Sequence, residues 1–275
     1  MKVILVPTDF SEVSENAVNY AAEIAHITNA KLILFHVYHL PVVVSEAPMF
    51  MPDFTVMEAD CMDSLREIAK NIEANHGKKL AIECVCKCGF AVDEIKFYAE
   101  EYKVDLLVMG MQGAGYLTEK LIGSVTTSLI EKSKCPVLAI DKHVKFKSVK
   151  RIVLACDYDE IEDREIFEPL KEFAHIFKSH IYILNVERKQ EHAMLADKVV
   201  KDFMKLEYTL ADTNHTFHFL DNEDVVEGIN KFVKESEMDM VVMIPRKHSI
   251  LKNIFSEPNT SRMAFHSKVP LLALH

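Results

Sequence analysis

The feature that most constrains the fold is a glycine-containing segment between two short apolar runs. The first run is Val104–Met109, and the second is Pro136–Ile140. Each run has the length of one buried strand. Between the glycines and the second run, Val125–Lys134 predicts a helix. Because strands joined through a helix are usually parallel neighbours, the segment predicts an α/β protein.

The glycines in this segment have a specific spacing. Two residues separate Gly110 from Gly113, and nine more precede the pair Gly123-Ser124. Glycine lets the backbone approach a ligand closely, and the first amides of a helix are donors at the positive end of its dipole. The segment therefore predicts a phosphate-binding loop that is neither a P-loop nor a G-x-G-x-x-G loop. The alternative is a sharp turn that binds nothing.

The rest of the first half alternates between the two periodicities of regular structure. Strand patterns occur at residues 3–6, 32–37 and 81–88, and helical patterns at about residues 17–25, 56–75 and 95–102. Together with the glycine segment, they give the order β-α-β-α-β-α-β-α-β. This order predicts a doubly wound, parallel, five-stranded sheet with helices on both faces.

The second half repeats the first. Residues 152–157, 238–243 and 269–274 repeat the patterns of residues 4–9, 104–109 and 135–140. The first offset is 148 and the other two are 134, so the second copy is shorter by 14 residues. A repeat of this length predicts two copies of one domain.

The predicted domains are residues 1–143 and 148–275. Their boundary lies in Asp141–Val149, which is charged and lacks an apolar period. The last strand of each copy is apolar throughout, and a bare apolar edge invites pairing. We therefore expect the two edges to pair, which makes the chain an intramolecular pseudo-dimer. The chain could also form further homo-oligomers or bind a protein partner that the sequence does not identify.

The glycine spacing and its flanking strands resemble the universal stress protein family, and the resemblance covers the whole first half. It implies a Rossmann-like fold of the adenine nucleotide alpha hydrolase-like type, with strand order 3-2-1-4-5, that binds ATP together with Mg²⁺. By this resemblance, the ATP-binding positions are Pro7, Thr8, Asp9, Val37, Met109, Gly110, Gly113, Gly123, Ser124 and Val125. The first four would meet the adenosine end, and the others would form the phosphate loop. One departure is that Lys120 is the only cation in the loop and follows Glu119.

The implied strand order puts the ends of the first and fourth strands side by side. Ligands of open α/β sheets bind at such a switch point, so Asp9 and Gly110 would flank one crevice. Two roles are expected for Asp9, and they do not exclude each other. Its carboxylate accepts from ribose hydroxyls, or it caps the first helix with Glu12 completing a capping box.

The repeat predicts that the second copy has lost the site. The offset places Ile244, Lys247, Glu257 and Pro258 where the first copy has its glycines and Ser124. Ile244 is β-branched, and Pro258 lacks an amide donor. We therefore expect the second domain to bind no ATP in this manner.

Composition and charge restrict the binding partners and the cellular compartment that we expect. The net charge of −10 argues against nucleic acid or an anionic membrane as a partner. No apolar run approaches the ~20 residues of a membrane span, and no signal peptide is evident, so a cytoplasmic protein with mostly reduced cysteines is expected. Cys84, Cys86 and Cys88 share one face of a strand, and buried, reduced thiols are expected there.

The predicted function is that of a regulatory, stress-response module whose nucleotide occupancy alters its surface. The apolar connection Tyr38–Thr55 is either a lid on the pocket or a segment packed on the protein or a partner. The chain is not expected to be an enzyme beyond slow ATP hydrolysis, because no catalytic set can be assembled from the sequence. The alternatives are an interaction scaffold with an empty site and an adenylyl-transfer enzyme.

Overall fold

The structure is a computed structural model that describes residues 1–39, 54–76, 80–111, 123–156, 164–187, 196–245 and 269–275. In the first half the strands and helices alternate along the chain. Their bounds are β1 Val3–Pro7, α1 Glu12–Thr28, β2 Lys31–Tyr38, α2 Phe54–His76, β3 Ile82–Cys88, α3 Ala91–Glu101, β4 Leu106–Gly110, α4 Ser124–Lys132 and β5 Val137–Ile140.

The second half repeats this alternation. Its bounds are β6 Arg151–Ala155, α5 Glu168–Phe177, β7 His180–Glu187, α6 Ala196–Thr209, β8 Asn214–Asp221, α7 Val225–Glu235, β9 Met240–Met243 and β10 Leu271–Ala273. A short 3₁₀ turn, Glu165–Phe167, leads into α5. Among the described residues, no helix is both long and apolar enough to cross a membrane.

The described strands form one sheet in the order β3-β2-β1-β4-β5-β10-β9-β6-β7-β8. Each half has the predicted order 3-2-1-4-5, and every pairing within a half is parallel. The two halves meet where β5 pairs antiparallel with β10, with Leu138 opposite Leu272. The expected edge pairing therefore joins the two predicted five-stranded sheets into one sheet.

Each face of the sheet carries an apolar layer that crosses from one half to the other. One layer unites side chains of α1 and α2 with those of α5 and α6. The other unites α3 and α4 with α7. Because neither layer stops at the junction, the two halves share their cores instead of resting against each other.

The connection between the halves is charged and lacks an apolar period, yet its apolar side chains are packed against the protein. Val144 and Val149 are 7% and 1% exposed. Phe146 packs between Tyr20 of α1 and Phe177 of α5, with ring centroids 5.1 and 6.2 Å away. Its apolar residues are spaced too irregularly to show a period, but they fill the seam between helices of the two halves.

An aspartate before the fourth strand of the first half ties that strand to the first. The carboxylate of Asp105 accepts hydrogen bonds from the backbone amides of Lys2 and Val3 at 2.6 and 2.8 Å. Lys2 directly precedes β1, and Val3 is its first residue. The carboxylate thus fixes the relative position of β1 and β4.

The second half repeats this arrangement and adds a cation. The carboxylate of Asp239, which is buried, accepts from the amides of Lys150 and Arg151 at 2.9 and 2.8 Å. The Lys147 ammonium lies 2.7 Å from its other oxygen. Burial raises the pKa of this carboxyl, but the hydrogen bonds from Lys147, Arg151 and Lys150 outweigh it and hold the pKa below its usual value.

We expect Asp239→Asn to lower the free energy of unfolding by about 1.5–3 kcal/mol, the range for hydrogen bonds to a charged group. Because the folded-state pKa of Asp239 is depressed, its contribution is present above the unfolded pKa of about 3.9 and is lost as the pH falls through the folded value. Urea unfolding between pH 7 and pH 3 measures both effects. The control is Asp105→Asn, which removes the charge of the corresponding carboxylate in the first half; among the described residues that carboxylate has no lysine partner. A wild-type slope below pH 4 that Asp239→Asn leaves unchanged would contradict this role.

The cysteines of β3 differ from the expectation of buried, reduced thiols. A disulfide joins Cys86 of β3 to Cys61 of α2. Cys84 is half-buried and Cys88 is exposed, and both are free thiols. The period of the strand relates only the cysteines within it, whereas the partner of Cys86 lies on the helix that covers the strand. The connection Tyr38–Thr55 falls almost entirely outside the described residues.

Candidate functional site

A cavity of about 150 Å³ opens at the carboxyl ends of β1, β2 and β4. Its position follows from the topology, because β1 pairs with both β2 and β4, so the connections after β1 and β4 leave on opposite faces. Nine of the ten predicted site residues line it: Pro7, Thr8, Asp9, Val37, Met109, Gly110, Gly123, Ser124 and Val125. The tenth, Gly113, lies outside the described residues.

Six further residues line the cavity. They are Ser14, Phe35, His36, Ala91, Ile95 and Thr126. None of these is among the ten predicted ATP-binding positions, but for His36, on the pocket side of the second strand, the sequence leaves a ligand contact open and favours packing. Ala91 and Ile95 belong to α3, which follows β3 on the same face as α4, so the strand and helix order could have pointed to them.

The turn between β1 and α1 is held by the side chain of Thr8. This hydroxyl lies 3.0 Å from the Ser14 hydroxyl and accepts from the Phe10 amide at 3.0 Å, while the Thr8 amide donates to the Phe35 carbonyl at 2.8 Å. Phe10 adopts a positive φ of 61°. Thr8 thus shapes the corner of the site, and its buried hydroxyl already has protein partners.

Asp9 does not cap α1, so the capping interpretation was wrong in its detail. The N-cap is Ser11, whose hydroxyl accepts from the Ser14 amide at 3.3 Å. Asp9 supports that cap one step further out, because its Oδ1 accepts from the amide and the hydroxyl of Ser11 at 3.1 and 2.5 Å. Its carboxylate is therefore fixed at the mouth of the cavity, with its charge next to the first turn of α1.

His36 forms one wall of the cavity. Its Nδ1 lies 2.7 Å from the Thr8 carbonyl oxygen, which can only accept, so Nδ1 donates the hydrogen bond. In the neutral ring Nε2 is then the acceptor. The ring also packs against Phe10, with centroids 4.5 Å apart. The imidazole is held on two sides and offers a fixed surface to a ligand.

Gly110 is required by close packing and not by an unusual backbone angle. A Cβ at this position would lie 2.9 Å from Cγ1 of Val13 and 3.1 Å from the backbone carbonyl carbon of Val13. The first turn of α1 therefore passes directly over the end of β4. On the other side, the Thr126 hydroxyl donates to the Gly110 carbonyl at 2.8 Å, which ties α4 to the same point.

The N-terminus of α4 borders the cavity without a side-chain cap. Its N-cap is Gly123, whose own amide donates to the Met111 carbonyl at 2.5 Å. Ser124 and Val125 then begin the helix and line the cavity. First-turn amides have no acceptor within a helix, and they carry its positive dipole end, so this edge favours an anion.

The described wall of the cavity carries few charged side chains. Among its described lining residues, none is Lys or Arg, and Asp9 is the one carboxylate. The described part of the chain also contains no group of three or more His, Cys, Asp or Glu side chains arranged to hold a metal ion. Amide groups and the α4 dipole are therefore the positive features that the described wall offers.

The corresponding place in the second half has a different lining. Asn185 replaces His36 and repeats its contact, since its Nδ2 donates to the Cys156 carbonyl at 3.2 Å. Its Oδ1 is buried and finds no partner among the described residues. Ile244, at the position of Gly110, is buried with 6% exposure. The other positions of the predicted loss, Lys247, Glu257 and Pro258, lie outside the described residues.

The model of one protein family matches both halves of the chain. The model of the "Universal stress protein family" matches residues 1–141 and again residues 148–275. Universal stress protein MJ0577 of Methanocaldococcus jannaschii is 32% identical over 157 residues, which cover 51% of this chain and 95% of that protein. Universal stress protein Sll1654 of Synechocystis is 34% identical over 143 residues, covering 50% of this chain and 85% of that protein.

The full chain also has a structural counterpart. The crystal structure of a universal stress protein from Archaeoglobus fulgidus covers 98% of this chain, and 95% of that structure is matched. The TM-score is 0.69 at 20% identity. At that identity the likeness concerns the fold, and it extends across both halves and their junction.

Proposed function

The chain belongs to the universal stress protein family as a tandem member, and from that membership we propose that its N-terminal half binds ATP in the cavity at the ends of β1, β2 and β4. The proposed nucleotide-binding domain is residues 1–143. Residues 148–275 form a second domain that completes the sheet and binds no ATP in this manner. Nucleotide occupancy would serve a regulatory role in a stress response.

The observation that carries this proposal is the start of α4 beside Gly110, where the N-cap residue Gly123 has no side chain to cap the helix. It supplies amide donors and a positive dipole end at the border of a cavity that excludes basic side chains from its described wall. An anionic group placed there needs no counter-charge from Lys or Arg. The γ-phosphate end of ATP would still benefit from Mg²⁺, which usually enters a site with the phosphates it binds.

The size of the cavity suggests how the nucleotide is arranged. Drug-sized ligands usually occupy ~300–1,000 Å³, whereas this cavity has about 150 Å³. It would therefore enclose only part of ATP, which we assign to the adenine and ribose between Val37, His36 and Ile95. The Asp9 carboxylate would accept from a ribose hydroxyl, and the phosphates would extend toward Gly123 and Ser124.

A thermal-shift titration with ATP and Mg²⁺ tests the proposal. A ligand at 100 times its dissociation constant stabilises the folded protein by about 2.7 kcal/mol, which shows as a rise in Tm. Asp9→Ala should weaken binding by about 1.5–3 kcal/mol, the value of a hydrogen bond to a charged group. Asp157→Ala changes the counterpart in the second half and is the matched control, for which wild-type affinity is expected.

The same titration separates the alternatives. No shift at millimolar ATP would leave the interaction scaffold with an empty site as the better description. Equal losses in Asp9→Ala and Asp157→Ala would place the nucleotide elsewhere. Mass spectrometry of the nucleotide after long incubation distinguishes a binding protein, which returns ATP, from an adenylyl-transfer enzyme, which releases pyrophosphate.

A further inference from the structure

The disulfide between Cys61 and Cys86 lies beside the proposed nucleotide site. Cys86 is directly opposite His36 in the β2–β3 ladder, and His36 lines the cavity. Opposite residues of neighbouring parallel strands point to the same face of the sheet. The disulfide therefore joins α2 to β3 at the residue opposite His36, which lines the cavity.

A second connection runs along the chain itself. β3 ends at Cys88, and only Gly89 and Phe90 separate it from Ala91, the first residue of α3 and a lining residue of the cavity. The Gly89 amide donates to the Tyr38 carbonyl at 3.1 Å, which keeps the ends of β2 and β3 together. A shift of β3 would thus displace two adjacent residues that line the cavity, His36 and Ala91.

The disulfide connects an outer strand of the sheet to the helix that covers it. β3 is the outer strand of the sheet and pairs with β2 alone among the described strands. Its side chains are half-buried or exposed along the whole strand. Cys61, by contrast, is buried in the same apolar layer as Leu65 of α2. The covalent link therefore anchors an outer strand to the interior of the layer.

We propose that Cys61 and Cys86 form a reversible redox pair whose oxidation favours nucleotide binding in the adjacent cavity. The proposal rests on the ATP-binding function inferred above. The oxidised pair holds β2 and β3 in the arrangement that lines the cavity, so less ordering remains to be done when the ligand binds. The reduced pair leaves β3 free to move against α2, and binding then weakens.

The chemistry balances with a thiol–disulfide couple such as glutathione. A glutathione thiolate attacks one sulfur of the Cys61–Cys86 bond, that bond breaks, and the departing sulfur takes a proton to become a thiol. A second glutathione thiolate then attacks the mixed disulfide, which releases the other cysteine thiol and glutathione disulfide. Two electrons and two protons pass to the protein, and the reverse sequence oxidises it.

The nearby Cys84 thiol does not compete well for this exchange. Cys84 lies two residues from Cys86 on the same face, where residues are ~6.6 Å apart, too far for a disulfide without distortion. Burial raises the pKa of the Cys84 thiol, and the Arg66 charge opposes this only in part, so its reactive thiolate is scarce near neutral pH. The bond to Cys61 is therefore the favoured product of oxidation.

The first measurement counts thiols in the full-length protein after treatment with reduced glutathione or with glutathione disulfide. Of the six cysteines, the denatured protein should present six thiols after reduction and the four free ones after oxidation. Six thiols after both treatments would overturn the redox pair. This result does not depend on nucleotide binding.

The second measurement compares ATP·Mg²⁺ affinity in the two forms by calorimetry. Couplings between sites usually lie near 5–150-fold, so we expect the oxidised protein to bind about fivefold or more tightly. Linkage requires saturating ATP to raise the preference for the disulfide by the same factor, which for fivefold lowers the midpoint potential by about 20 mV. Equal affinities in the two forms would overturn the coupling while leaving ATP binding intact. No binding in either form would overturn both the coupling and the proposed function.

Variants separate the disulfide from general effects of redox treatment. Cys61→Ser and Cys86→Ser should each bind ATP with the affinity of the reduced protein, whatever the treatment. Cys84→Ser is the matched control, since it changes the same face of β3 but keeps the pair, and it should retain the full difference. If Cys61→Ser proves unstable, the comparison of oxidised and reduced wild type decides the question alone. A redox response that persists in Cys61→Ser would refute the assignment.

Discussion

Gly110→Val is expected to reduce ATP affinity by about a hundredfold or more, which corresponds to ~2.7 kcal/mol. The Cβ of the new side chain would lie 2.9 Å from Cγ1 of Val13 and 3.1 Å from the carbonyl carbon and oxygen of Val13. The backbone of α1 cannot rotate away as a side-chain tip can. Either α1 or the end of β4 must therefore shift, and both border a cavity of only about 150 Å³.

The same crowding should cost about 1–3 kcal/mol of stability, the range for overpacked cores. Urea unfolding measures that loss, and calorimetry with ATP·Mg²⁺ measures the affinity. Gly228→Val is the control, because a Cβ there meets Cγ1 of Val186 at 2.8 Å in the second half. It should lose comparable stability and keep wild-type affinity. Equal ATP binding by Gly110→Val and wild type would remove the cavity from consideration as the nucleotide site.

The junction between the halves gives the second large effect. Leu138 of β5 and Leu272 of β10 face each other across the antiparallel pair, and both are completely buried in the layer shared by the two halves. Each substitution to alanine should lower the free energy of unfolding by about 2–5 kcal/mol. The whole chain should still unfold in one transition, since neither half has a core of its own at the junction.

A double-mutant cycle tests whether the two leucines act as a pair. Direct contacts usually give a coupling of about 0.5–3 kcal/mol, whereas distant sites add within about 0.5 kcal/mol. Leu34→Ala with Leu138→Ala is the control, because both leucines belong to the same layer but β1 and β4 lie between their strands. Circular dichroism is the appropriate signal, since the chain has no tryptophan. Two separate transitions, with Leu272→Ala affecting only one, would show that the halves fold independently.

The alternation of strands and helices was accessible to sequence reasoning because it follows from periodicity, whereas the strand order, and with it the location of the cavity, was implied by the resemblance to the family. Buried strands alternate with amphipathic helices, and loops at the carboxyl ends of neighbouring parallel strands must meet. Apolar edges at both copies of strand 5 likewise required a partner, and β5 and β10 provide it for each other.

Other features depend on contacts between elements, which a linear pattern does not contain. The cap of α1 could be Asp9 or Ser11 by residue type, and only the backbone conformation at Ser11 decides. Cys86 has its partner on α2, beyond the strand whose period was analysed. Phe146 looked like part of a charged linker because its burial comes from two helices that lie far apart in sequence.

The antiparallel join of β5 to β10 turns the carboxyl ends of the two half-sheets toward opposite rims of the molecule. A ligand in the cavity of the first half therefore cannot contact the corresponding place in the second half. We therefore expect one ATP per chain, whereas a symmetric pair of equal subunits would bind two. The carboxyl ends of β6, β7 and β9 therefore form the rim opposite the cavity of the first half.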